Sequence, residues 1–220
     1  MNNPELTIQT IREAFGQNEY PGDNFLQGSF EGCEPYEEIE PFKGKSDWQI
    51  VAPSLLDQHY TALSFFSEAG LRFFLPAYLI ADLRDELQTA EPLFVLIHGF
   101  SEVTIEHQTK TRLFKRTTGQ TVLLNPRRYG AMTFYDYARF RLSIFTREEA
   151  QAIVAYLHYK QAADPYQLHR QEIEAALNLY WLERAKNAPS AASLRQHLAE
   201  EAEYLAAISS DMAGHGPGEA

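Results

Sequence analysis

The stretch Leu63–Leu87, LSFFSEAGLRFFLPAYLIADLRDEL, decides the fold class. Leu71, Phe74, Leu75, Tyr78, Leu79 and Leu83 recur at three- and four-residue steps, the spacing of one wide apolar face of an α-helix. Ser67 stands where that helix wants a cap, because its hydroxyl can accept from an amide of the first turn. Pro76 falls inside the run. It has no amide to donate and its ring clashes with the carbonyl four residues back, so it predicts a kink, or a second helix from Pro76 to about Leu87.

Outward from this stretch, other segments carry the same period. Phe145–Lys160, FTREEAQAIVAYLHYK, opens on Thr146 with Glu149 three residues on, a capping box, and places Ala150, Ile153, Val154 and Leu157 on one side. Ile8, Ile11 and Phe15 mark a short helix over Thr7–Phe15. Pro53 suits the first residue of a helix running to about Phe66, with Leu55, Leu56, His59, Leu63 and Phe66 on one face. Asp164-Pro165 reads as the cap and opening of a helix with Ile173, Ala176, Leu177 and Tyr180 on its seam, and Pro189-Ser190 leads into a last helix ending near Ile208. The run LFVLIHGF after Pro92 is too short to assign by period, whereas Val103, Ile105 and His107 alternate with polar neighbours as in a strand. Thr111–Arg116 and Thr121–Asn125, joined by 117–120, read as a hairpin, and a short strand is expected around Asn24–Ser29. The class expected is therefore α+β, mainly α: one domain over 1–209 with a small antiparallel β-hairpin, C-terminal helices over 146–208 and a disordered polar tail at 210–220.

Charge is unevenly spread. The chain of 220 residues carries a net −11. Within Gln108–Arg147, part of a basic hairpin region spanning 101–141, nine basic residues face one acid, Asp136. That stretch is +8 and the remainder is −19. The segment 16–45 is acidic and broken by Gly and Pro, which predicts a long irregular connection packed down by its aromatics. One cysteine, Cys33, excludes an internal disulfide, and no basic-then-apolar leader opens the chain; a cytoplasmic setting is expected. The longest apolar stretch, Phe73–Ala81, is far short of the roughly 18 residues of a membrane span, so no membrane contact is expected.

These elements resemble a family of mainly bacterial proteins of unknown function. Tyr20-Pro21-Gly22-Asp23, Glu38 and Phe42 leading into Trp48, the run Ala62–Leu79 with Phe-Leu-Pro-Ala-Tyr-Leu, and the capped helix from Phe145-Thr146 carry the resemblance, over roughly residues 5–160. The chain departs from that pattern in its long basic region and two further C-terminal helices. The resemblance implies one folded unit and assigns no catalytic residue.

Common catalytic and cofactor signatures are missing from the sequence: no Gly-x-Ser-x-Gly, phosphate loop, Gly-x-Gly-x-x-Gly, His-Glu-x-x-His or Cys-x-x-Cys occurs. No cofactor is expected. Asp23, Glu37, Glu38 and Glu40 with His59 have the donor types of a divalent-metal or acid–base site, set against a solvated acidic loop. Cys33 lies between Gly32 and Glu34, and neighbouring carboxylates raise a thiol's pKa rather than activate it. Trp48 and the Phe65, Phe66, Phe73, Phe74, Tyr78 cluster reads as core.

The basic stretch makes the sharper case. Arg127-Arg128-Tyr129 and Tyr135, Tyr137, Arg139 and Arg141 interleave cations with rings, and an extended Tyr137–Arg141 would put three of them on one face. Three readings compete: pairing with the protein's own acidic loop, docking of an acidic protein partner, or nucleic-acid binding, the last opposed by the acidity of the whole chain. The reading carried forward is a non-catalytic interaction or regulatory module that uses this basic, aromatic surface, with the acidic-loop enzyme as the alternative from another class.

Overall fold

The computed structural model describes residues 3–100, 104–108, 113–117, 121–123 and 131–214. In chain order the elements are α1 (Pro4–Phe15), α2 (Glu34–Ile39), α3 (Pro53–Gln58), α4 (Ala62–Phe65), α5 (Glu68–Leu83), α6 (Pro92–Ile97), β1 (Thr104–Gln108), β2 (Leu113–Thr117), β3 (Thr121–Leu123) and β4 (Ala131–Thr133). They are followed by α7 (Phe134–Arg141), α8 (Arg147–Ala163), α9 (Arg170–Ala176), α10 (Leu182–Lys186) and α11 (Ala191–Gly214).

The body is built round α5. Only Ala69, Arg72 and Asp82 escape full burial along it, so the helix is apolar on every side and must be enclosed by others. α1 lies against it, with α3, α6 and α11 at its flanks, and α8 packs on α1 and reaches α5 through long side chains. Ser67 caps it as expected, its Oγ accepting from Gly70 N at 2.9 Å. The first turn runs close to the 25–28 segment: Ser67 N donates to Leu26 O at 2.7 Å, and a Cβ on Gly70 would lie 2.7 Å from that same oxygen, which leaves room there only for glycine. Pro76 does not split the helix. The carbonyl it deprives of a donor is that of Arg72, and the Asn18 side-chain amide donates to it at 3.2 Å. Phe42, Phe66, Phe73, Phe74 and Tyr78 form a continuous ring cluster beside it, with Phe73 edge-on to Phe74 at 4.8 Å.

The α+β expectation is overturned: the fold is all-α. The hairpin of 111–116 with 121–125 does not form; β2 pairs back onto β1, and β3 pairs with β4, both antiparallel. Each is a short two-stranded ladder. The LFVLIHGF run begins the helix α6, whose Leu96 carbonyl accepts from Trp181 Nε1 at 2.8 Å. In place of the strand around Asn24–Ser29 there is a single helical turn, Asp23–Phe25, and an isolated bridge from Gln27 to Phe66.

The acidic stretch is more regular than expected, because Pro35 opens α2 inside it. The helix expected from Pro53 to Phe66 breaks at His59, whose ψ of 56° is not helical, giving α3 and α4. Asp164-Pro165 opens no helix; Asp164 accepts from Tyr166 N at 2.9 Å in a turn, and α9 starts at Arg170. The capping box at Thr146 and Glu149 is present, and Ser190 Oγ accepts from Ser193 N at 3.1 Å at the head of α11. That helix continues to Gly214, so 210–214 of the expected tail is helical, while 215–220 lies outside the described residues. No helix among the described residues is long and apolar enough to cross a membrane.

Candidate functional site

Of the acidic-loop candidates the fold unites two. Glu38 comes from α2 and His59 from the non-helical break after α3, and His59 Nδ1 lies 3.4 Å from Glu38 Oε1 with both side chains more than four-fifths covered. Glu38 Oε2 and His59 Nδ1 make no hydrogen bond, a costly state for buried polar atoms. Phe42 meets the imidazole edge-on, and Tyr78 Oη donates to the His59 carbonyl at 3.1 Å. Burial first, and then the Glu38 charge, pushes the Tyr78 phenol above its ordinary value, so it stays a donor.

Asp23 stands apart from this pair. It accepts from Tyr20 Oη and from Gly44 N at 2.8 Å, contacts that hold its carboxyl below the usual range. Glu37 and Glu40 point to solvent, the latter paired with Lys43. Among the described residues no three His, Cys, Asp or Glu side chains converge as metal ligands. Cys33 is exposed, and Trp48 with the neighbouring phenylalanines is core.

The basic stretch ends in a helix and not in an extended strand. In α7, residues four apart share a face, so Tyr137 and Arg141 lie together and Arg139 is turned away and exposed. Arg141 donates to the carbonyls of Leu63 and Phe66 where α4 ends, which ties the helix to the body. Tyr135 contributes its backbone to α7, and Arg127 and Arg128 lie outside the described residues.

Several polar anchors escaped sequence reading. Asp82, among the apolar positions of α5, accepts from Tyr156 Oη at 2.6 Å and pairs with Lys160 at 2.9 Å. Tyr156 and Lys160 are one turn apart on α8, and that spacing opposite a lone acid in an apolar helix was the available signal. Burial, then the charge and hydrogen bond of Asp82, raises the Tyr156 phenol. Glu149 accepts from Arg72 Nε through both oxygens at 3.0 Å, joining α8 to α5. Glu201 of α11 accepts from the amides of Glu68 and Ala69 at 2.6 and 2.9 Å, at the N-terminus of α5.

An all-α unit of this architecture, ending with α10, coincides with a family model that matches residues 3–185. The chain belongs to that family of unknown function, DUF6714; α11 follows the matched span. No curated protein and no solved structure matches the chain.

Proposed function

We propose that the protein is a non-catalytic interaction module of the cytoplasm, recognising an acidic protein partner through the basic aromatic stretch that ends in α7. The anchoring of Arg141 on the α4 carbonyls carries this reading: it holds α7 against the body while Arg139 faces solvent on the other side of the same helix. Arg and Tyr are the residue types enriched at protein interfaces, and a +8 stretch in a chain otherwise at −19 favours encounter with an acidic surface. Arg127, Arg128, Tyr135, Tyr137 and Arg139 form the recognition set, with Arg141 fixing their helix.

The test substitutes Arg127, Arg128 and Arg139 by Ser and spares Arg141, whose loss would unfasten α7. The partner that co-purifies with the natural chain at about 0.15 M salt should be lost at an unchanged Tm. Retention of that partner by the triple variant refutes the reading. A nucleic acid recovered in its place, with affinity falling steeply in salt, points to phosphate binding by the same arginines.

The Glu38–His59 contact favours a second reading, an acid–base or metal-assisted enzyme, because a carboxylate beside an imidazole in a covered site suits proton transfer or half of a cation shell. Metal content of the purified protein, with Tm before and after chelation, tests the metal form. A stoichiometric divalent ion and a Tm lowered by chelation, both absent in His59→Ala, support it; no metal and no shift remove it.

A further inference from the structure

A cleft of about 550 Å³ opens between the C-terminal ends of α5 and α8, α6, and the 164–169 turn. Its size is that of a small-molecule site. One wall is apolar: Leu93, Phe94, Ile97 and Leu168 line it, and Phe94 and Leu168 are 51% and 71% exposed at its mouth. Large apolar side chains left in water round a concavity are a mark of a binding surface.

The polar lining is lopsided in charge. Asp82, Asp85, Glu91 and Asp164 face Lys160 and His169. Lys160 is already neutralised, its Nζ lying 2.9 Å from Asp82 Oδ2 on the floor. That leaves three carboxylates with no lysine or arginine in the lining to match them. The loop that carries two of them is held in place. Asp57 Oδ1 accepts from the amides of Gln88, Thr89 and Ala90 at 2.9, 2.7 and 3.0 Å, and Glu86 N donates to Ala81 O at 2.9 Å. Phe94 stacks on His98 at 4.5 Å with a 28° tilt and offers its ring at the mouth. Burial lowers the pKa of His98, so no cation stands behind that ring near neutral pH.

From this arrangement we infer that the cleft binds a small organic ammonium ion: its apolar body lies against Leu93, Ile97 and Leu168, and its charge lies between the Phe94 ring and the carboxylates of Asp85 and Glu91. A cation over an aromatic face beside carboxylates gains both from the ring quadrupole and from Coulomb attraction. An anionic ligand meets repulsion, and a neutral one of the same shape forgoes the polar half of the site.

The probe is 2-phenylethylammonium, titrated into the full chain and followed by backbone amide spectra, with 2-phenylethanol and 3-phenylpropanoate as neutral and anionic counterparts. The ammonium ion should shift amides confined to 82–98 and 159–173, with Kd on the order of 1 mM for so small a molecule. The alcohol should bind about fivefold more weakly and the carboxylate not at all. The double variant Asp85→Asn, Glu91→Gln alters only exposed side chains; it should weaken ammonium binding about fivefold at an unchanged Tm and leave the alcohol unaffected. Equal affinity for alcohol and ammonium, an unaffected double variant, shifts outside the cleft, or no shifts at all would each overturn the inference. Arg127, Arg128 and Arg139 take no part in these readouts, so the outcome is separate from that of the partner test.

Discussion

Glu149→Ala is expected to remove about 3–5 kcal/mol of stability, the usual penalty for taking away one member of a buried charge pair. The carboxylate is 1% exposed and does three things at once. It closes the capping box by accepting from Thr146 N at 2.7 Å, it takes Arg72 Nε through both oxygens at 3.0 Å, and it thereby fastens the head of α8 to the second turn of α5. Alanine leaves the Arg72 guanidinium, whose side chain is 22% exposed, without its anion and strips Thr146 N of its acceptor. For a chain of this length Tm should fall by roughly 10 °C or more. Denaturant unfolding measures the loss, and a double-mutant cycle with Arg72→Ala should show the two changes strongly non-additive. A loss below about 1 kcal/mol would mean that the Arg72–Glu149 pair adds little to the Asp82 contacts and the packing that hold α8 in place.

Glu201→Gln is expected to flatten the fall of stability as pH rises. Burial, and next to it the hydrogen bond and charge of the neighbouring Glu68 carboxyl, pushes Glu201 up to about 9 from an ordinary 4.5. Between those values the folded chain holds a proton that the unfolded chain has released, so stability is greatest below 4.5 and declines as pH rises towards 9. Glutamine cannot titrate, but it has one oxygen for the two α5 amides that Glu201 now serves, so one of them loses its acceptor at every pH. Its Tm should lie below that of the natural chain at pH 5 and fall less between pH 5 and pH 8.5, so that the gap narrows by about 3–6 °C. Parallel curves for the two chains would show that Glu201 does not carry this proton.

The helices that cap themselves were legible. Ser67 and Thr146 announce α5 and α8, because their hydroxyls satisfy first-turn amides locally and the apolar period follows at once. The pairing of β2 with β1 in place of the expected hairpin was not, since antiparallel partners are chosen by contacts that a local turn signal does not encode. Tyr137, Arg139 and Arg141 were placed on one face by assuming an extended chain, and the helical period sends Arg139 elsewhere. The fold sets His59 beside Glu38, whereas Asp23 is claimed by Tyr20 and the Gly44 amide. Glu201 left no local mark, and Asp82 only that of a lone acid in an apolar helix, because each is polar for the sake of an element distant in sequence.

Leu177–Trp181, between α9 and α10, makes a π turn, one residue wider than the α-helical turn around it. The widening acts as a single-residue insertion that resets the phase of everything after it by about 100°. With that phase, Tyr180 and Trp181 are both buried, and Arg184 reaches the carbonyls of Ser143 and Phe145 in the turn before α8. A chain shortened by one residue at this point would recover regular helical hydrogen bonding and swing the guanidinium a quarter-turn away from both oxygens. The length of this segment is thus fixed by an appointment kept elsewhere in the fold, and the irregular turn is what allows the helix to keep it.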